Sequence, residues 1–265
     1  MSRVTTASLM QMKQKGEKIA VLTSYDASFT VLLENAGVEV ILVGDSLGMV
    51  IQGQESTLPV DVDDMVYHTQ CVARGRRNAL LVSDMPFMSY SSADQALGTA
   101  GRLMKDGGAH MVKLEGGATQ LETVRQLTAN GIPVCAHLGL LPQSVHKLGG
   151  YRVQGRDEES AQIMKEDALA LEQAGAQMLV LECVPKALAA EISQSLAIPV
   201  IGIGAGPDCD GQVLVLYDML GITPRYAPRF SKNFLAETHS VAEAIAAYVK
   251  AVKEVKFPAA EQSFE

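Results

Sequence analysis

The sequence predicts a (β/α)8 barrel of the TIM type, in which one parallel sheet closes on itself inside a ring of helices. Apolar runs of strand length alternate with helix-forming segments along the chain, and most connections are short. Three helix-to-strand junctions repeat one small-residue turn, at 35–38, 106–109 and 173–176. Such alternation requires right-handed crossovers and a parallel sheet, and about eight units in roughly 250 residues are typical of this barrel. An open doubly wound sheet is the alternative.

The chain has 265 residues, of which 48% are hydrophobic and 20% charged, so it can bury a full core. Length alone also allows two domains, but we expect a single barrel domain over 1–265. A short amphipathic helix over 5–15 opens it, because Thr5 or Thr6 can cap the first turn. We expect this helix to close the bottom of the barrel, and a C-terminal helix and tail to occupy 240–265.

Each predicted strand is a short apolar run bounded by a turn or a polar residue, as expected for strands buried on both faces. The expected strands are 19–23, 40–43, 79–83, 110–114, 133–137, 177–181, 199–203 and 213–217. The helices that accompany them are expected at 27–35, 62–74, 92–105, 119–130, 158–174, 186–195 and 240–253. Residues 138–156, rich in glycine, are too long for an ordinary turn and are a candidate lid or binding loop.

Composition excludes several classes of function. A net charge of −8 disfavours a nucleic-acid partner, because phosphate-binding proteins need a cationic surface. The N-terminal stretch lacks the apolar core of a signal peptide and no apolar run is long enough for a membrane span, so we expect a cytoplasmic protein with no membrane partner. The cysteines are widely spaced, which indicates buried small side chains rather than disulfides or a zinc cluster.

Four acidic residues stand at or just after the ends of predicted strands: Asp45, Asp84, Glu115 and Glu182. Any one of them alone is more simply a helix cap or a loop acid. In a barrel, all four would meet at the C-terminal edge of the strands, where active sites of this fold are built. Carboxylates repel one another unless a cation lies between them, and hard oxygen ligands with room for water suit Mg²⁺. The pattern therefore predicts a metal site at this edge.

Two further residues on the same strands are candidates for the site. Lys113 precedes Glu115 by two residues and so shares its face, which would place the ammonium in the barrel mouth; a structural ion pair is the equal alternative. His137 ends a strand, where a core histidine is more common than a catalytic one. The glycine-rich stretch 202–206 follows the seventh strand, where many barrels bind phosphate, but it is a weak dinucleotide signal and its glycines can simply allow close approach of the backbone.

Several short motifs stand at these strand ends and in the long loop. They are VGDSLGM at 43–49, QG at 52–53, STLPV at 56–60, YH at 67–68, DMPFM at 84–88, VKLEGG at 112–117, HLGL at 137–140, PQS at 142–144, GGY at 149–151, VQG at 153–155, LECVP at 181–185 and IGIGAG at 201–206. In combination they resemble the ketopantoate hydroxymethyltransferase family, also called 3-methyl-2-oxobutanoate hydroxymethyltransferase. The resemblance spans nearly the whole chain.

The resemblance implies a Mg²⁺-dependent TIM-barrel transferase, typically a homodecamer, of pantothenate and coenzyme A biosynthesis. Such an enzyme passes a hydroxymethyl group from its cosubstrate 5,10-methylenetetrahydrofolate to 3-methyl-2-oxobutanoate, which gives 2-dehydropantoate. A proton on carbon beside a ketone is weakly acidic, so the chemistry needs both a base and stabilisation of the enolate, which Mg²⁺ can provide as a Lewis acid.

The resemblance also implies roles for individual residues. Asp45 and Asp84 would hold the metal, with Glu115 in its inner or outer shell. Glu182 would be the catalytic base. The implied substrate-binding residues are Asp45, Ser46, Asp84, Lys113 and His137.

Two other functions are compatible with an acidic barrel edge. One is a Mg²⁺ barrel lyase of the phosphoenolpyruvate mutase and isocitrate lyase type, which also handles enolates of 2-oxo acids. Those lyases usually use a reactive cysteine in a Lys-Lys-Cys-Gly-His type of loop, which this sequence lacks. The other is a non-catalytic metabolite-binding barrel. Glu182 beside a full set of metal ligands disfavours it, because binding alone needs no base.

Overall fold

Eight parallel strands close into a barrel in sequential order. They are β1 (Ile19–Thr23), β2 (Val40–Val43), β3 (Leu80–Asp84), β4 (Met111–Glu115), β5 (Val134–Gly139), β6 (Met178–Glu182), β7 (Val200–Ile203) and β8 (Gly211–Leu214). The computed structural model describes residues 3–223 and 227–265, and residues 1, 2 and 224–226 of the predicted domain lie outside them. Because β8 pairs with β1, the sheet is a closed ring, which confirms the predicted TIM barrel and excludes the open sheet.

The helices surround this ring and cross between successive strands. They are α1 (Thr6–Gln14), α2 (Ala27–Ala36), α3 (Leu47–Val50), α4 (Val62–Gly75), α5 (Ala93–Lys105), α6 (Leu121–Ala129), α7 (Val145–Leu148), α8 (Glu158–Gln173), α9 (Lys186–Ser195), α10 (Leu216–Met219) and α11 (Val241–Lys253). Several begin where a short polar side chain accepts a hydrogen bond from the first turn, namely at Thr5, Asp26, Asp61, Ser92, Asp157 and Ser240. Across the described ranges, no helix combines the length and apolarity needed to cross a membrane.

Most predicted boundaries lie within one or two residues of the observed ones, but the eighth strand is shifted. It was expected at 213–217 and runs from Gly211 to Leu214, after which the chain turns into α10. A Cβ at Gly211 would come 2.3 Å from the carbonyl oxygen of Ile19, so glycine allows the last strand to start close against the first. The strand prediction was wrong because this glycine lowers the apolar signal at the true start.

The predicted long loop of 138–156 is partly ordered. Strand β5 extends into it as far as Gly139, and a 3₁₀ turn at Pro142–Ser144 leads directly into α7. Further along, the N–H of Gln154 donates to the carbonyl of Cys183 at 2.9 Å, which ties the end of the loop to the residue after β6. The segment therefore lies across the C-terminal edge of the barrel.

The barrel interior beneath that edge is packed with side chains. The inward-facing residues of this layer are mostly aliphatic and buried: Val21, Val40, Val82, Cys135, Met178, Val180, Ile201 and Val213. Of the four cysteines, three are buried as predicted, whereas Cys71 on α4 is only half-buried. A filled interior makes the C-terminal edge a closed-bottom pocket rather than a channel.

Charged side chains at the N-terminal edge of the barrel have structural roles. Lys13 of α1 lies 2.7 Å from Asp210, just before β8, and its ammonium also donates to two backbone carbonyls. Glu172 of α8 accepts hydrogen bonds from the N–H groups of Ala197 and Ile198 at 2.7 and 2.9 Å. Helix α1 therefore packs at this end, and the charged groups here bond backbone and one another.

Candidate active site

A cavity of about 510 Å³ opens at the C-terminal edge of the barrel. Every strand contributes a residue to its wall: Thr23, Leu42, Asp84, Lys113, Glu115, His137, Val180, Glu182, Ile203 and Val213. All the site residues expected from the sequence, with Asp45 and Ser46 from the β2 loop, line this one cavity. The strands bring them together because the carboxyl ends of a parallel barrel share one rim.

Asp84 and Lys113 form the first pair in the site. They are register partners on β3 and β4, and Lys113 Nζ lies 3.0 Å from Asp84 Oδ1. Burial works against the charged lysine, but the surrounding carboxylates of Asp84, Glu115 and Asp45 outweigh it and raise its pKa. The ammonium therefore stays charged inside the barrel mouth.

Asp45 is held against this pair by the turn after β2. Its backbone N–H donates to Asp84 Oδ2 at 3.1 Å, and its own Oδ2 accepts a hydrogen bond from Gln143 at 2.8 Å. Burial, followed by repulsion from Asp84 and Glu115, raises the pKa of Asp45 well above its usual range. Three carboxyl groups, those of Asp45, Asp84 and Glu115, therefore crowd around the ammonium of Lys113.

His137 connects the remaining two acids. It is the register partner of Glu115 on β5, with Nδ1 lying 3.5 Å from Glu115 Oε1 and 3.3 Å from Lys113 Nζ. On its other side, Nε2 lies 3.3 Å from Glu182 Oε2. Burial and the lysine oppose protonation of the ring, but contacts with Glu115 and Glu182 outweigh them and raise the pKa of His137. The imidazole therefore orients both acids from within the wall.

Ser46 lies at the rim, one residue beyond Asp45. Its hydroxyl is 2.9 Å from the phenol oxygen of Tyr25, which follows β1. Burial raises the pKa of Tyr25, so the phenol is neutral and can donate or accept. Gly44 leaves room for this arrangement, because a Cβ there would lie 2.7 Å from Ser46 Oγ.

Three polar residues of the site were missed at the level of the sequence: Tyr25, Tyr90 and Gln143. Tyr90 donates a hydrogen bond to Gln143 Oε1, and Gln143 reaches both Asp45 and Glu115. Each follows the C-terminal end of a strand by a few residues, and Gln143 stands in the PQS motif. Polar side chains just beyond strand ends were the signal that could have found them.

The glycine-rich stretch after β7 packs against the protein itself. Gly204 has φ +61°, and a Cβ there would come 3.0 Å from both Phe230 and Phe264. At Gly206 a Cβ would come 2.5 Å from the Cβ of Lys186. These glycines allow close packing of side chains around β7, and do not line an open phosphate cradle.

The acidic site suits a hard cation that brings further ligands with it. Within residues 3–223 and 227–265, no three His, Cys, Asp or Glu side chains form a ready-made ligand set. Asp45 and Asp84 are adjacent, and one oxygen of each accepts a hydrogen bond, as Glu115 Oε2 does from the N–H of Gln143 at 3.1 Å. The crowded carboxylate oxygens fit Mg²⁺ held by two aspartates with water or a bidentate substrate.

Solved structures of the same fold include several enzymes at low sequence identity. A phosphonopyruvate hydrolase superposes with a TM-score of 0.63 at 13% identity, covering 97% of this chain and 99% of its own. A phosphoenolpyruvate phosphomutase from Streptomyces platensis subsp. rosaceus gives 0.61 at 13% identity, covering 82% of each chain. Similarity at this level of identity shows the shared barrel fold alone.

Sequence relatives are far more similar and match from end to end. Proteins named 3-methyl-2-oxobutanoate hydroxymethyltransferase are 63% identical in Nitrosococcus oceani and 60% identical in Tolumonas auensis, in both cases over 264 residues and 100% of each chain. One from Marinobacter nauticus is 60% identical over 262 residues and 99% of each chain. The family model described as ketopantoate hydroxymethyltransferase matches residues 3–260. With both kinds of match spanning the barrel and its acidic rim, the chain belongs to the ketopantoate hydroxymethyltransferase family of transferases.

Proposed function

We propose that this enzyme transfers a hydroxymethyl group from 5,10-methylenetetrahydrofolate to 3-methyl-2-oxobutanoate, with Mg²⁺ bound at the acidic rim, and forms 2-dehydropantoate. The observation that carries the proposal is the convergence of an aspartate pair, a buried ammonium and a histidine-held glutamate around one cavity. These are the parts that deprotonation beside a ketone requires: a place for a cation, an anchor for an anion and a base.

The aspartate pair is the proposed metal site. Asp45 and Asp84 would bind Mg²⁺ directly, and Glu115, whose carboxylate contacts Gln143 and His137, would act from the outer shell. When bound there, the metal would supply Lewis-acid stabilisation of negative charge on the keto oxygen. A phosphonopyruvate hydrolase of the same fold, 12% identical, has been solved with oxalate and Mg²⁺. A protein of this fold can therefore bind both Mg²⁺ and a small dicarboxylate, which supports the proposal.

Lys113 and Ser46 are the proposed anchors of the keto acid. The ammonium of Lys113 is buried at the floor of the cavity, where its charge can attract the substrate carboxylate. Ser46 stands at the rim with its hydroxyl oriented by Tyr25. His137 contacts Lys113 through Nδ1 and Glu182 through Nε2, and would hold the glutamate. Together they fix the orientation of the substrate relative to the base.

Glu182 is the proposed general base. Its side chain is 13% exposed and faces the cavity, while the buried His137 contacts one of its oxygens. Glu182 would accept the proton from C3 of the keto acid, leaving the electron pair of that bond in the enolate. This pair would then form the new carbon–carbon bond to the methylene carbon, whose two bonds to the folate nitrogens break. Water would supply the oxygen of the new hydroxyl group, and tetrahydrofolate would leave as the second product. A positioned base of this kind contributes about 10²- to 10⁴-fold in rate.

The rest of the cavity leaves space for the folate cosubstrate. Its volume of about 510 Å³ exceeds what a five-carbon keto acid fills. One side of it is lined by apolar groups, including Ile203, Phe230 and Phe264, which suit the flat ring of a pterin. The homodecameric assembly and cytoplasmic location implied by the family resemblance complete the proposal, and the assembly can be measured by light scattering.

An assay of the purified enzyme tests the proposal. We expect 2-dehydropantoate from 3-methyl-2-oxobutanoate only when methylenetetrahydrofolate and Mg²⁺ are both present, and loss of product on removal of the metal with a chelator. Glu172→Gln is a matched control, because Glu172 bonds backbone at the opposite edge of the barrel. Product formation that is unchanged without methylenetetrahydrofolate, or unchanged after chelation, would contradict the proposal.

A further inference from the structure

Gln143 is a neutral side chain buried among the acids of the site. It stands in the 3₁₀ turn after β5, is 6% exposed, and uses both its side chain and its backbone toward neighbouring elements. Nε2 donates to Asp45 Oδ2 at 2.8 Å and to the carbonyl of Met85 at 3.0 Å. Its backbone N–H donates to Glu115 Oε2 at 3.1 Å. One residue therefore binds a carboxylate from the loop after β2 and another from the end of β4.

The orientation of this amide is determined by its partners. The carbonyl of Met85 can only accept a hydrogen bond, so Nε2 must face it. On the other side, the phenol of Tyr90 donates to Oε1 while its oxygen accepts from the N–H of Glu115 at 3.4 Å. With both amide hydrogens and the amide oxygen engaged, a flip of the side chain would break all of these bonds.

This network leaves one oxygen of Asp45 available. Oδ2 accepts a hydrogen bond from Gln143, whereas Oδ1 accepts no hydrogen bond from any residue in the described part of the chain. Glu115 Oε2 likewise accepts a hydrogen bond from the backbone N–H of Gln143. A carboxylate tied at one oxygen loses rotational freedom, so its second oxygen is presented in a fixed direction.

We propose that Gln143 is a positioning residue for the cation site: its amide aims Asp45, and its backbone holds Glu115 in the outer shell. The inference rests on the metal site of the proposed function and deepens it. Because the residue belongs to the segment that crosses the barrel edge, the affinity for Mg²⁺ depends on that segment being in place. Groups that orient metal ligands in this way typically change metal affinity by about 10- to 100-fold when they are removed.

The test is calorimetric titration of purified full-length enzyme with Mg²⁺ as the added ligand. Gln143→Leu keeps the backbone N–H but removes the amide, and we expect its Kd for Mg²⁺ to rise by about 10-fold or more. We also expect its activity to recover as Mg²⁺ is raised, since the proposed base is untouched. Tyr90→Phe removes the phenol that fixes the amide and should raise the Kd in the same direction by a smaller factor.

Gln212→Leu is the matched control. Gln212 is a buried glutamine of β8 whose Nε2 donates to the carbonyl of Gly206 at 2.9 Å, outside the acidic site. It should lower the melting temperature without changing the Kd. If Gln143→Leu does not fold, Tyr90→Phe decides the question. If a folded Gln143→Leu variant binds Mg²⁺ with wild-type affinity, the inference alone is overturned. The same holds for Tyr90→Phe when only that variant folds. A wild-type enzyme that binds no Mg²⁺ overturns the proposed metal site and the inference with it.

Discussion

Replacing Glu182 by glutamine separates the proposed base from everything else in the site. Glutamine has the same size and can still contact His137, whose Nε2 lies 3.3 Å from the Glu182 carboxylate. The variant cannot accept a proton, so deprotonation at C3 of 3-methyl-2-oxobutanoate should slow by about 10²- to 10⁴-fold. That loss corresponds to roughly 3 to 5 kcal/mol of activation free energy.

The assay measures exchange of the C3 proton with deuterated or tritiated water, with Mg²⁺ present and folate absent. It isolates proton abstraction from transfer of the one-carbon unit. Binding of the keto acid should persist, because Lys113 and Ser46 are unchanged. Glu172→Gln, a glutamate that bonds backbone at the opposite edge, should exchange at the wild-type rate. Exchange at the wild-type rate in a folded Glu182→Gln enzyme would refute the assignment of the base.

Three further outcomes are expected. Asp84→Ala should abolish the Mg²⁺-dependent activity. It should also lower the free energy of unfolding by about 3 kcal/mol, because Lys113 loses its buried partner at 3.0 Å. Activity with an unchanged Mg²⁺ requirement would remove Asp84 from the metal site. Lys13→Met should cost roughly 2 kcal/mol of stability in urea with no change in Mg²⁺ affinity, since the ammonium bonds Asp210 and two carbonyls far from the site. Burial and two nearby arginines lower the pKa of His110 from 6.5 to about 4, so folding favours the neutral ring. The contribution of His110 to the free energy of unfolding is therefore present above about pH 6.5 and is lost as the pH falls toward 4. Stability of the His110→Asn variant should fall less steeply over that window, and a parallel pH profile would argue against the assignment.

The alternation of strands and helices could be predicted from the sequence because each strand is buried on both faces. An apolar run such as Val40–Val43 is typical of a strand covered on both faces in a parallel sheet, and its observed bounds match the prediction. Prediction failed at β8, where Gly211 packs against Ile19. The reason is that the close approach between the first and last strands requires a glycine, which lowers the apolar signal at the true start of β8.

The acids of the site were predictable as a group, but the hydrogen bonds of Asp45 and Glu115 with Gln143 were not. The ends of the predicted strands identify Asp84, Glu115 and Glu182 as candidates, because a parallel barrel places the carboxyl ends of all its strands at one rim. Asp45 and Glu115 both accept hydrogen bonds from Gln143, which lies in a turn about 28 residues beyond Glu115 in the chain. Such a contact is set by how the loop crosses the barrel edge, which no spacing between motifs encodes.

By itself, the sequence determined the barrel, its approximate strands and the acidic rim, because hydrophobic period and chain order act locally and repeat eight times. Only the tertiary structure decided which acids bond backbone and which face the cavity. Glu172 and Glu182 lie ten positions apart and are both acidic, yet one bonds N–H groups at the bottom and the other contacts His137 at the top. The difference arises because a strand carries the chain from one edge of the barrel to the other between them, and the environment at each edge sets what a carboxylate does.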